Sequence, residues 1–370
     1  MSSVENVLNF GSGPSKLPNQ VMKEVQNEFL SYQHCGMSMV EISHRSDEYN
    51  KINNNAQIVL RELLDIPPNY RILFMQGGGQ GAFSAIPMNL MSKTGIADYV
   101  VTGTWSSVAA KEATKHGHVN IVTPKLDKTG SIPDQKTWKL NPNASYVFYC
   151  DNDTIDGVEF PFIPETGNVP LVADMCSNIL TKKIDIAKFG LIFAASQKNL
   201  APAGLAVIII REDLLGNPVK YCPSILDFTL TNRMNSILNT PSMFSVYVME
   251  KVLQWVKREG GLQVMENLSA QKSKLIYDAI DNSRSFYVSA VETAVRSRIN
   301  VPFRVGGESS EEKLEKRFLE EAEELKMFQL KGHHLVGGIR ASLYNSITLD
   351  EVRKLVDFMN NFRERFQNIS

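Results

Sequence analysis

The sequence predicts an α/β protein: a mostly parallel, seven-stranded sheet flanked by helices, with a smaller α/β domain after it. Two observations predict this. Between about residues 70 and 212, short apolar runs alternate with polar segments of helical texture, and beyond residue 258 consecutive buried runs become fewer. In order, the runs are YRILFMQ, DYVVTG, HVNIVTP, SYVFYC, VPLVAD, FGLIFAA and LAVIIIR. Runs that are apolar without alternation belong to strands covered on both faces, as in a parallel sheet between layers of helices. Such sheets collect ligands outside the carboxyl ends of their strands, so the residues at the ends of these runs are the first candidates for a site.

After the last run, REGGLQ at 258–263 marks a break inside or between helices. A helix near 311–328 would put Leu314, Phe318, Ala322 and Leu325 on one face, and the last helix carries Val352, Leu355, Val356, Met359 and Phe362 at comparable spacing. TLDE at 348–351 reads as the capping box of that last helix. GGESSEEKLEK at 306–316 reads as an exposed loop leading into a helix.

Composition bounds the function. At 370 residues the chain exceeds what one core usually serves, so two domains are expected. A formal net charge of -1 provides no global field to draw nucleic acid or an anionic membrane, so any anion binding must be local. Cys35, Cys150, Cys176 and Cys222 form no CxxC pair, which suggests neither a zinc site nor a disulfide framework and points to a reducing compartment. The first residues lack a basic region followed by an apolar stretch, and no apolar run is long enough to span a bilayer. A cytoplasmic protein without nucleic-acid or membrane partners is expected.

The strand ends then supply candidates. Lys198 follows the apolar run FGLIFAA and precedes NLAPAG. Either it begins an exposed loop, or burial depresses its pKa and frees an amine that forms a Schiff base with an aldehyde. Asp174 closes VPLVAD 24 residues earlier, a separation that suits adjacent or nearby strands joined by a crossover. It either caps the strand end or keeps a pyridinium nitrogen protonated. QGGGQG at 76–81 follows a strand and opens a helix, as a plain turn or as a phosphate cradle built on glycine and free helix N–H groups. It lacks the ending of a Walker loop and the full spacing of a dinucleotide fingerprint. Trp105 either packs or stacks on a heteroaromatic ring. Asp153 and Thr154 either shape a loop or hydrogen-bond a ring hydroxyl. Together, a lysine, an acid, a glycine cradle and an aromatic are what a pyridoxal 5'-phosphate site requires.

In NFGSGPSKLP, EISHRS, QGGGQGAFSAIPMNL, DYVVTGTWS, DTIDGVEF, ADMCSN, SQKNLAPAG, LNTPSMFSVY and GGIRASLYN the chain resembles the phosphoserine aminotransferases, fold-type-I pyridoxal-phosphate enzymes, over essentially its whole length. The resemblance implies a large cofactor-binding domain at 16–257 and a small domain at 258–370. Residues 1–15 would be a segment packing with the small domain and the active site. It implies that Lys198 forms the Schiff base, Asp174 pairs with the pyridine nitrogen and Trp105 stacks on the ring. Gly79 and Gln80 would hold the phosphate, with Thr154 and Gln197 near the ring oxygen. Asn239 and Thr240 would reach the cofactor of a partner subunit, making the enzyme a homodimer. His44, Arg45, His333 and Arg340 would bind substrate, Arg340 through the α-carboxylate, and no metal is implied. The implied reaction is reversible amino transfer from L-glutamate to 3-phosphohydroxypyruvate, giving 2-oxoglutarate and O-phospho-L-serine in serine biosynthesis.

One departure stands out. Where the family reads Gly-His-Arg, this chain has GHHL, so His334 occupies an arginine position. A histidine offers one titratable charge in place of a permanent fork, which predicts a weaker or more pH-sensitive grip on a phosphorylated substrate. The rival readings are another fold-type-I aminotransferase, a cysteine desulfurase, a non-catalytic pyridoxal-phosphate-binding protein, and a nucleotide-binding α/β protein. The paired basic residues favour a phosphorylated or dicarboxylic substrate, and the missing Walker lysine weakens the last.

Overall fold

The structure, a computed structural model, describes residues 7–125, 130–307 and 312–367. Each predicted apolar run contributes a strand to one seven-stranded sheet. Their order across it is Tyr70–Gln76, Leu205–Arg211, Leu191–Ala195, Leu171–Asp174, Val147–Cys150, Ile96–Val100 and His118–Ile121. Leu205–Arg211 runs antiparallel to both neighbours, and the remaining pairs are parallel.

The apolar runs lack alternation because both faces are buried. On one face Phe74, Tyr149, Ala173, Ile192 and Val207 pack with residues of the helices Asp47–Leu63 and Met243–Arg258. On the other, Met75, Tyr99, Phe148, Phe193 and Ile208 pack with the helices Gly78–Leu90 and Thr104–Ala113. Successive residues of a strand point to opposite faces, so one run feeds both cores.

A further core surrounds a three-stranded antiparallel sheet of Tyr287–Val288, Asn300–Val305 and Ile339–Ser342, with Asn300–Val305 central. Helices Gly261–Asp281, Glu312–Glu324 and Leu349–Phe366 cover it with Ile276, Phe318, Leu355 and Phe362. The break at REGGLQ separates Met243–Arg258 from Gly261–Asp281. Thr348 and Glu351 form the expected box: Glu351 N–H donates to Thr348 Oγ1 at 3.2 Å, and Thr348 N–H donates to Glu351 Oε2 at 2.9 Å. The preceding helix is shorter than expected. It ends at Glu324, and Leu325 is 55% exposed rather than on the core face, because Lys326 adopts φ +61° and turns the chain into the strand Met327–Phe328. The loop expected at 306–316 falls partly outside the described residues.

Two long-range ties position the site. The segment Leu8–Asn9 pairs in parallel with Met327–Phe328, and the chain then crosses to the large sheet, where Ser15 N–H donates to the Gln197 carbonyl at 2.9 Å. Buried Lys272 donates to the carbonyls of Leu343 (3.0 Å), Tyr344 (2.7 Å) and Ile347 (3.0 Å), which pins the loop after Ile339–Ser342. Burial pushes the Lys272 ammonium down to about 7.

Candidate active site

A cavity of about 370 Å³ opens at the carboxyl ends of the central strands. Gly79, Gln80, Trp105, Asp174, Gln197 and Lys198 line it, so the fold brings these sequence candidates together. Asp174 ends its strand beside Leu191–Ala195, whose continuation carries Gln197 and Lys198. The strands are adjacent, as the 24-residue connection allowed.

The Asp174 carboxylate accepts from Cys176 N–H at 2.9 Å. Burial raises its pKa, against the nearby Lys198. The Lys198 amine lies 5.8 Å from the centre of the Trp105 ring and forms no ion pair among the described residues. Its titration corrects the sequence reading. Burial does pull the pKa down, but Tyr344, Cys176, Asp174 and Cys150 push it up and prevail. The apolar run was visible in the sequence, whereas those groups arrive from other segments. As an ammonium it must lose a proton before it attacks an aldehyde.

Trp105 is fixed from below. It is the second residue of Thr104–Ala113, its N–H donates to Asp153 Oδ2 at 2.8 Å, and its indole N–H donates to Thr154 Oγ1 at 3.0 Å. Asp156 Oδ2 accepts from Thr104 N–H at 2.9 Å. Asp153 is thus consumed as a helix cap rather than presented to a ring hydroxyl, because the first turn of a helix has N–H groups to satisfy. Burial, helped by Asp156, raises its carboxyl to about 6. Thr154 does not line the cavity wall, but accepting the indole proton leaves its own O–H to donate.

The glycine segment lines the same cavity. Gly77 (φ +97°) and Gly78 (φ +57°) turn the chain from Tyr70–Gln76 directly into Gly78–Leu90 in conformations that suit glycine. The first N–H groups of this helix have no intrahelical acceptor and face an anion favourably.

Arg340, on Ile339–Ser342, donates to the Thr154 carbonyl at 2.8 Å and to Ser12 Oγ at 2.5 Å. It forms no ion pair among the described residues, and burial lowers its pKa. Its charge is therefore available to an anion. His333 and His334 lie on the loop before that strand with ring centroids 4.1 Å apart. Burial first, then His334 and Arg340, lower the His333 pKa against Asp156. His334 is exposed.

His44, Arg45, Asn239 and Thr240 are not brought to Lys198 within this chain. They line a separate surface depression of about 650 Å³, where His44 Nδ1 and Thr240 Oγ1 are 3.3 Å apart. Gln76 Nε2 donates to Asn239 Oδ1 at 2.9 Å and to the Thr240 carbonyl at 3.1 Å.

Residues 7–355 match the family model for aminotransferase class-V. A phosphoserine aminotransferase of Drosophila melanogaster is 54% identical over 363 residues, spanning 98% of this chain and 100% of the relative. The chain belongs to the class-V aminotransferase family. Among solved structures, phosphoserine aminotransferase from Bacillus circulans subsp. alkalophilus superposes with a TM-score of 0.94 at 40% identity, covering 98% of this chain and 99% of that one. The PLP-bound phosphoserine aminotransferase from Trichomonas vaginalis does so with a TM-score of 0.92 at 37% identity, covering 96% and 100%.

The donor set of this aminotransferase fits pyridoxal phosphate. An unpaired amine, a buried carboxylate and an indole face one cavity whose size falls within the range of small-ligand sites, and a helix start stands at its wall. At Gly13, whose φ is +138°, an added Cβ would sit at van der Waals distance, 3.4 Å, from Lys198 Cγ, so the N-terminal segment lies against the lysine side chain. Several residues of the site escaped the sequence reading: Ser12, Asn152 and Tyr344, which belong to one polar network, and Cys150 and Cys176, which line the cavity. Asn152 and Cys150 stood at a strand end, the signal that found Asp174, but their residue types suggested no cofactor chemistry.

Proposed function

We propose that this aminotransferase moves the amino group of L-glutamate to 3-phosphohydroxypyruvate, reversibly forming 2-oxoglutarate and O-phospho-L-serine for serine biosynthesis. The observation that carries the reading is the unpaired Lys198 amine facing the Trp105 ring, with Asp174 on the adjoining strand. Full-length identity to proteins of that activity supports the substrate pair.

When bound, pyridoxal phosphate supplies an aldehyde for an amine and a ring that takes up the electrons of the bond being broken. Lys198 would hold that aldehyde and, with an amino acid in its place, would move the proton at the substrate α-carbon. Asp174 would keep a proton on the ring nitrogen. Burial favours a protonated pair there, since an isolated carboxylate in this environment is costly. Trp105 would cover one ring face and exclude water. Thr154 would offer its O–H toward the ring oxygen, with Gln197 beside it, and the N–H groups of Gly79 and Gln80 would hold the phosphate.

Arg340 orients the α-carboxylate common to both substrates through its fork. His333, beside it, and the exposed His334 receive the distal anion. We infer a homodimer in which Asn239 and Thr240 reach the partner's cavity. Because His44 and Arg45 share their depression, they would cross with them and meet the distal anion there. We also take 258–370 as the small domain, which the separate core around Asn300–Val305 supports. A cytoplasmic location accords with four free cysteines and with no described helix being long and apolar enough to cross a membrane.

The test is the purified protein supplied with cofactor, glutamate and 3-phosphohydroxypyruvate, run beside Lys198→Ala. Phosphoserine from the wild type alone is expected. Its absence from the wild type would refute the assignment.

A further inference from the structure

The site holds one polar atom that the roles above leave unused. Asn152 is 2% exposed and lines the cavity with Asp174 and Lys198. Its orientation follows from the bonds around it. Tyr344 O–H donates to the Ser12 carbonyl at 2.8 Å, so the phenol oxygen can only accept from Asn300 Nδ2, 3.5 Å away. Asn300 Nδ2 also donates to Ser342 Oγ at 3.0 Å, which turns Asn300 Oδ1 toward Asn152 Nδ2 at 2.9 Å. Ser177 commits its proton to the Asn152 carbonyl at 2.9 Å and therefore accepts from Asn152 Nδ2 at 2.7 Å. Both amide protons of Asn152 are thus taken, and a reversed amide would set its oxygen against that of Asn300. Asn152 Oδ1 is left buried and without a partner.

A buried amide oxygen is costly to leave unpaired, and this one belongs to a residue of the cavity wall. Among the described residues lining that cavity, Lys198 is the only cation. We propose that Asn152 is a further catalytic residue, its Oδ1 accepting a hydrogen bond from an N–H at the reacting centre, given by the Lys198 nitrogen or by the amino nitrogen of the incoming amino acid. This rests on the transamination proposed above. An acceptor at that point orients the nitrogen and stabilises its protonated form, so its removal lowers the pH at which that proton leaves.

The experiment compares cofactor-loaded Asn152→Ala with Asn300→Ala, which breaks the same network but keeps the Asn152 oxygen. One arm titrates the visible absorption of the loaded protein with pH in the absence of amino acid. The residues acting on the Lys198 amine, namely Tyr344, Cys176, Asp174 and Cys150, are all kept in both variants, and Asn300→Ala removes only the 3.5 Å contact that Asn300 makes to Tyr344. The other arm measures the glutamate concentration that half-saturates the single-turnover absorbance change. If Lys198 is the donor, the pH midpoint of Asn152→Ala falls by about one unit and that of Asn300→Ala does not. If the substrate nitrogen is the donor, the midpoint stays and half-saturation rises about tenfold in Asn152→Ala alone.

Equal behaviour of the two variants in both arms, or no change in either, overturns the proposal. Should Asn152→Ala fail to fold, Asn152→Ser is measured in its place. A wild type that takes up the cofactor and titrates but converts no glutamate would refute the transamination reading, while the first arm still decides the role of Asn152.

Discussion

Glu159→Gln probes how the small-sheet region is held against the site. Glu159 is 5% exposed and accepts from Lys182 Nζ (3.2 Å), Arg298 N–H (3.0 Å), Arg298 Nη2 (3.2 Å) and Asn178 Nδ2 (3.3 Å). Arg298 lies two residues before the start of the strand Asn300–Val305, so this carboxylate joins the two sheet regions. Burial works to raise its pKa, but Lys182 and Arg298 overcome that and hold it at about 2, below the ordinary 4.5. Because the folded value is the lower one, the stabilisation is complete above pH 4.5 and is lost as pH falls toward 2. At 1.36 kcal/mol per pH unit the fall corresponds to about 3 kcal/mol at neutral pH. The linkage relation leaves about 1.4 kcal/mol at pH 3.

Gln keeps the shape and loses the charge that Lys182 and Arg298 face, although Lys182 retains Asp151 at 2.8 Å and the part-exposed Arg298 retains Glu266 at 3.8 Å. Urea unfolding followed by fluorescence should show Glu159→Gln less stable by about 3 kcal/mol at pH 7, with the gap narrowing by more than half at pH 3. Equal stability at pH 7, or a gap that is the same at both pH values, would refute the reasoning.

Other outcomes follow from the site. Arg340→Met should raise the KM for glutamate and for the keto acid at least about tenfold while leaving the cofactor absorption unchanged, because the lost fork serves the carboxylate common to both substrates. A change confined to one substrate would contradict that role. Trp105→Ala should weaken cofactor retention about tenfold in equilibrium dialysis, and wild-type retention would argue that the indole only packs. His334→Arg should lower the KM for 3-phosphohydroxypyruvate, since a permanent fork of donors replaces a single imidazole. An unaltered KM would remove His334 from substrate binding.

Much of the large sheet was legible because its strands are short apolar runs with polar punctuation, a local signal. Their spatial order was not. Leu205–Arg211 inserts antiparallel between Tyr70–Gln76 and Leu191–Ala195, and a run apolar on both faces carries no alternation to fix its neighbours. The Thr348–Glu351 box was readable for the same local reason, whereas the end of the helix before Leu325 depended on the backbone of Lys326.

At the site, Lys198, Asp174 and Trp105 stood out as strand-end residues with chemistry of their own. The network of Ser12, Asn152, Asn300, Arg340 and Tyr344 did not, because its members are separated by up to 332 residues and meet only after the small sheet docks. The direction of the Lys198 titration was misread for that reason. The amine answers to Tyr344, Cys176 and Asp174 as well as to its own apolar strand.

The central claim is that the Lys198 amine transfers the proton at the substrate carbon. It is tested most directly by mixing glutamate with the cofactor-loaded wild type and with loaded Lys198→Ala in a single turnover, following absorbance and released 2-oxoglutarate. The wild type should convert its cofactor to the aminated form with stoichiometric 2-oxoglutarate, and Lys198→Ala should do so about 10²- to 10⁴-fold more slowly. Equal rates in the two proteins would contradict the account.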